Sequence, residues 1–75
     1  MYRPEIHLIE LSTEELRRDS FAYRFTFKDT IYRGTLEPGE MALLRDGRPN
    51  SPAIAVEIPV REGLTVRFEP KIKKI

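Results

Sequence analysis

From Phe21 the chain reads Phe-Ala-Tyr-Arg-Phe-Thr-Phe-Lys. Side chains alternate sides along a β-strand, so this order puts Phe21, Tyr23, Phe25 and Phe27 on one face and Arg24, Thr26 and Lys28 on the other. Four rings on one strand face need cover from water, and whatever covers them sets the architecture. The chain is therefore read first as a β protein with one aromatic inner face.

The following segment extends that strand into a hairpin over about residues 21–36. With Asp29-Thr30 as the loop, Lys28 faces Ile31, Phe27 faces Tyr32, Thr26 faces Arg33, Phe25 faces Gly34, Arg24 faces Thr35 and Tyr23 faces Leu36. Aromatic and apolar residues then meet their own kind, and the ring of Phe25 covers the bare backbone of Gly34. A second hairpin spans about residues 53–70, its strands flanking Arg61-Glu62-Gly63, where the glycine suits a left-handed loop position. Counting back sets Val60 against Leu64, Ile58 against Val66 and Val56 against Phe68 on an apolar face. Pro59 meets Thr65, Glu57 meets Arg67 and Ala55 meets Glu69 on the other. Because Pro59 has no N–H for the ladder, its strand belongs at an edge or is bulged there.

Ile6 to Leu11 reads as a fifth strand. After it, Ser12 with Glu15 three residues on forms a capping box, and Leu11 with Leu16 the matching hydrophobic staple, so a short helix is expected over Thr13 to Arg18. Glu37-Pro38-Gly39-Glu40 reads as a type II turn. Met41 to Arg45, within the ambiguous 37–47 segment, leans toward helix because Met, Ala and Leu favour it and Asp46-Gly47 offers a stop. Arg48 to Pro52 is loop, and Lys71-Ile72-Lys73-Lys74-Ile75 is a basic tail.

Seventy-five residues make one small domain, 1–75, with a modest core. The chain has no cysteine and a single histidine, His7, so disulfides and thiolate metal sites are excluded, and neither a metal nor a cofactor is expected. Apolar runs reach only four residues, Met41 to Leu44 and Ala53 to Val56. No membrane partner is expected, and the address is read as cytoplasmic. No phosphate loop, nucleophile elbow or zinc motif occurs, and the expectation is that the chain is not an enzyme.

Two surfaces compete as binding candidates. Alternating aromatics and basics on a strand are how some sheets stack single-stranded nucleic acid, and Phe21-Ala22-Tyr23 fits the middle of the RNP1 pattern. Arg24 then stands where an aliphatic residue belongs, Thr26 where an aromatic belongs, and Asp19-Ser20 where a basic residue and glycine should lead. The rings are therefore assigned to the core. The opposite face offers Arg24, Lys28 and Arg33, joined by Arg67 if the hairpins are adjacent, as a binding patch. With 13 Lys and Arg against 12 Asp and Glu, the electrostatic drive toward phosphate is weak.

The fold expected is mainly β or α+β: a small five-stranded antiparallel barrel or sheet built from the two hairpins, with one or two short helices. The function expected is a non-catalytic protein-binding module, a small subunit or regulator that docks on another protein or on itself, a homodimer included. A nucleic-acid-binding β-domain using the Arg24, Lys28, Arg33 and Arg67 face is the alternative.

Overall fold

The computed structural model describes residues 4–46 and 55–71. The expected loop at 48–52, the start of the strand expected from Ala53 and the tail 72–75 lie outside those residues. In chain order the elements are β1 (Glu5–Leu11), α1 (Thr13–Leu16), β2 (Phe21–Phe27), β3 (Thr30–Leu36), α2 (Pro38–Arg45), β4 (Val56–Arg61) and β5 (Leu64–Pro70). The protein is mainly β with two short helices.

The strands form two sheets rather than the expected five-stranded antiparallel one. One has the order β1-β5-β4, the other is the β2–β3 hairpin, and no barrel is closed. β1 runs parallel to β5, in register from Glu5–Leu64 to Leu11–Pro70, so the three-stranded sheet is mixed. A tight turn forces antiparallel pairing, but most of the chain, residues 12–63, separates β1 from β5 and serves as the crossover a parallel pair requires.

Hairpin β4–β5 has the register counted from the sequence: Val56–Phe68, Glu57–Arg67, Ile58–Val66 and Pro59–Thr65. A bulge then intervenes between Pro59 and Arg61, so Arg61 rather than Val60 faces Leu64. The loop shortens to Glu62-Gly63, with Gly63 at φ 85°. Proline's missing donor is thus accommodated by both devices open to it, an edge strand and a bulge.

Hairpin β2–β3 keeps the expected parity but slips by two residues. Tyr23 faces Gly34, Phe25 faces Tyr32, Arg24 faces Arg33 and Phe27 faces Thr30. The loop is Lys28-Asp29, both left-handed at φ 48° and 64°, as a two-residue type I′ turn demands. Tyr23, not Phe25, lies across Gly34: a β-carbon there would overlap the Tyr23 phenol.

The inner faces of the two sheets meet. Tyr23 and Phe25 from β2 and Leu36 from β3 are buried with Val56, Leu64, Val66 and Phe68 from β4 and β5, and with Leu11 from β1. Tyr23 meets Phe68 edge-on at 5.0 Å, and His7 of β1 stacks on Phe25 at 4.3 Å. Helix α2 adds Met41 and Leu44 to the same cluster.

Both helices start on a reciprocal cap. At α1, Ser12 N–H donates to Glu15 Oε1 at 2.9 Å while Glu15 N–H donates to Ser12 Oγ at 3.2 Å. The helix stops at Leu16, two residues short of expectation. Arg45 of α2 donates to the carbonyls of Leu16 and Arg18, at 2.8 and 3.0 Å, which ties the two helices together. Within the 37–47 segment Pro38–Arg45 is helix, and Pro38-Gly39 opens it rather than forming a type II turn. Proline at the first helical position loses no bond, and Glu37 N–H donates to Glu40 Oε1 at 2.9 Å.

Tyr23 is wedged between Phe25 and Phe68, so Gly34→Ala is expected to cost about 1–3 kcal/mol by overpacking, read as a lower urea midpoint; an unchanged midpoint would mean the ring moves aside freely. The hydrogen bond from the Ser12 backbone, opposed by partial desolvation, holds the Glu15 carboxyl below its ordinary 4.5. A depressed folded value means stabilisation that is complete above the ordinary carboxylate range and lost as pH falls through the folded one. The advantage of wild type over Glu15→Gln in urea midpoint should therefore shrink on acidification from about pH 7 to about pH 3; a constant difference would contradict the assignment.

Candidate functional site

The four cations expected to form one patch are divided by the fold. Arg24 and Arg33 are directly opposite one another on the outer face of β2–β3, both exposed. Ala22, Thr26, Ile31 and Thr35 complete that face, which carries no carboxylate. Ala22, Tyr23, Arg24, Arg33, Gly34 and Thr35 line a shallow depression of about 490 Å³ there. Lys28 sits in the hairpin turn, its Nζ 3.7 Å from Glu5 Oε1 and 5.3 Å from the centre of the Phe27 ring. Arg67 is on β5 in the other sheet, bonded through Nε to Glu69 and 3.4 Å from Glu57. The Glu69 bond foremost, against slight desolvation, pushes its guanidinium further above an already high range. Only Arg24 and Arg33 come together, and among the described residues neither forms an ion pair.

The sequence reading overlooked a second surface, the free side of β1. Glu5 N–H donates to the Gly63 carbonyl, and Lys71 N–H to the Leu11 carbonyl, each at 2.8 Å. Backbone groups alternate sides along a strand, so those of Glu5, His7, Ile9 and Leu11 point toward β5 while those of Ile6, Leu8 and Glu10 point outward. No strand among the described residues pairs with that outward side. The side chains of the same three residues also lie on the sheet face turned away from the core, with Ile6 56% and Leu8 50% exposed. The sequence carries a signal for this: Ile6-His7-Leu8-Ile9 is apolar on both faces, the pattern of a strand covered on both sides, whereas this fold covers one.

The edge at β4 contrasts with it. Pro59, the adjacent bulge and the exposed charges of Glu57 and Arg61 are standard devices against strand addition. β1 has neither a proline nor a bulge within its length, its register with β5 running unbroken and Pro4 preceding the strand; its exposed charges, Glu5 and Glu10, stand toward its two ends.

Other places offer less chemistry. A hollow of about 320 Å³ lies among Ser12, Thr13, Glu14, Arg17 and Lys71, but the Ser12 hydroxyl is already engaged by the α1 cap. Burial foremost, with Glu40 nearby, holds the Tyr23 phenol above its ordinary value. Among the described residues no three histidine or carboxylate side chains are grouped to hold a metal ion, and no helix is long and apolar enough to cross a membrane. Compared with known proteins, the chain matches no family model, no curated protein and no solved structure.

Like charges directly opposite each other on a sheet repel, so Arg24→Glu, which creates a cross-strand pair with Arg33, is expected to raise stability by about 0.2–1 kcal/mol. The gain should be larger at low salt; a thermal midpoint unchanged or lowered at low salt would show that the two guanidiniums do not interact.

Proposed function

We propose that the chain is a non-catalytic protein-binding module, a small subunit or regulator whose docking element is the outer edge of β1. One observation carries the reading: the outward N–H and C=O groups of Ile6, Leu8 and Glu10 coincide with the exposed aliphatic side chains of Ile6 and Leu8 on an edge that lacks the proline and the bulge present at β4. An added strand satisfies the backbone groups and removes the Ile6 and Leu8 side chains from water, the two contributions that drive strand addition. A core of this size supplies only about 3–5 kcal/mol, and association is a usual supplement.

The Arg24–Arg33 pair supports a second reading, nucleic-acid binding by the outer face of β2–β3. With Lys28 and Arg67 engaged by carboxylates, two phosphate contacts remain, for which single-stranded affinity would fall with log salt at a slope of about −1.4. That is a weak footing beside an open strand edge.

A photo-cross-linking residue placed at Leu8, and separately at Arg24, in the native cell separates the readings. Docking by β1 predicts cross-linked protein from position 8, lost when Ile6 is replaced by lysine, and none from position 24. Cross-links to nucleic acid from position 24 alone, or none from position 8, would contradict it.

A further inference from the structure

We propose that the outer face of β2–β3 binds a small phosphate monoester as its dianion, the Arg24 and Arg33 guanidiniums closing on one tetrahedral head from neighbouring strands. The inference does not depend on docking by β1. On this face it puts a single doubly charged phosphate where the nucleic-acid reading puts a strand of phosphodiesters.

The turn fixes how close the two arginines come. A two-residue I′ loop is flanked by a hydrogen-bonded pair, here Phe27–Thr30, and the two kinds of pair alternate from there along the hairpin. Arg24–Arg33 is therefore a non-hydrogen-bonded pair, with α-carbons about 4.5 Å apart and both side chains on the outer face. Both are exposed, and like charges so placed repel. The other arginines on described strands are engaged. Arg67 pairs with Glu69 and Glu57, and Arg61 stands over the rings of Phe27 and Tyr32 at 5.9 and 6.0 Å. Among the described residues Arg24 and Arg33 have no such partner, so the repulsion between them is relieved only by an anion from outside.

The surroundings select the shape and charge of that anion. Ala22 and Thr35, the next pair along the same face, are short side chains beside two long ones, and together with Gly34 and both arginines they line the depression of about 490 Å³. That leaves room for the phosphate and the start of its ester group, with the Thr35 hydroxyl as a further donor. Each guanidinium presents a planar fork of N–H groups that suits phosphate oxygens in pairs. A carboxylate has two oxygens and one charge, which a single fork satisfies. A phosphodiester also carries one charge, and a strand of them asks for more cations along the face. Lys28 is held by Glu5 at 3.7 Å and Arg67 belongs to the other sheet. A monoester brings nearly two charges and three acceptor oxygens to one point, which matches two forks and a hydroxyl.

Amide NMR titrations of the full chain at fixed ionic strength test the site with three probes: methyl phosphate, dimethyl phosphate and inorganic phosphate. At about pH 8, above the second phosphate pKa of about 6, the first is a dianion and the second remains a monoanion. Methyl phosphate should give saturable shifts centred on residues 22–24 and 33–35, and dimethyl phosphate should bind about tenfold more weakly or worse. Arg24→Gln should weaken methyl phosphate binding by a similar factor, as should Arg33→Lys, which keeps the charge and loses the fork. Arg67→Gln should leave binding unchanged, and the dispersion of each spectrum reports whether the variant is folded. No saturable shift, equal binding of the two methyl esters, or binding undiminished in both the Arg24 and Arg33 variants overturns the site. Binding of inorganic phosphate without methyl phosphate overturns the ester in favour of the free anion. A DNA oligonucleotide that displaces methyl phosphate at a lower phosphate concentration overturns it in favour of nucleic acid. None of these results bears on cross-linking from position 8, so this site and the β1 edge stand or fall separately.

Discussion

The aromatic face of β2–β3 needs cover, and the other elements are arranged to supply it. Four rings at alternate positions cannot face water in so short a chain. β5 answers them with Leu64, Val66 and Phe68, all essentially inaccessible to solvent. Tyr23 sits at the contact between the sheets, edge-on to Phe68 and across Gly34, so the missing side chain at Gly34 and the ring above it form one packing unit. β1 comes in beside β5 because its inner residues His7, Ile9 and Leu11 extend the same apolar surface. Having used that face, β1 is left with Ile6 and Leu8 on the other side and one ladder of backbone groups unmatched.

How far the sequence reveals this differs from element to element, for physical reasons. The β4–β5 register was readable because opposite charges and matched apolar pairs agree on one count, and Gly63 marks the turn. In β2–β3 parity was readable and register was not: aromatic alternation is unchanged by a slip of two, and Lys28-Asp29 is an unusual choice for two left-handed positions. Pro38-Gly39 is compatible with both a turn and a helix start. The Glu40 side chain bonding the Glu37 N–H favours the helix, but a pattern of residue types shows this only in retrospect.

The parallel pairing of β1 with β5 left no local mark, since it depends on which surface remains uncovered after the hairpins form. The candidate basic patch failed for the same reason: Arg67 belongs to a different sheet from Arg24 and Arg33, and its carboxylate neighbours, one on β4, were only half visible as the Glu57 pairing. Arg45 could not be foreseen as the group bonding the carbonyls that end α1, because that contact joins positions 29 and 27 residues apart. Conversely, the surface that does stand out was hidden in the short apolar run Ile6-His7-Leu8-Ile9, which reads as an ordinary strand.

The central claim is that the fold leaves the outer side of β1 open and that binding closes it. Residue-resolved amide hydrogen exchange tests this most directly. In dilute solution the amides of His7, Ile9 and Leu11 should be protected while those of Ile6, Leu8 and Glu10 exchange fast. Protection of Ile6 and Leu8 equal to that of His7 and Ile9 at the lowest concentration would mean the edge is already covered within one chain, and would contradict the account.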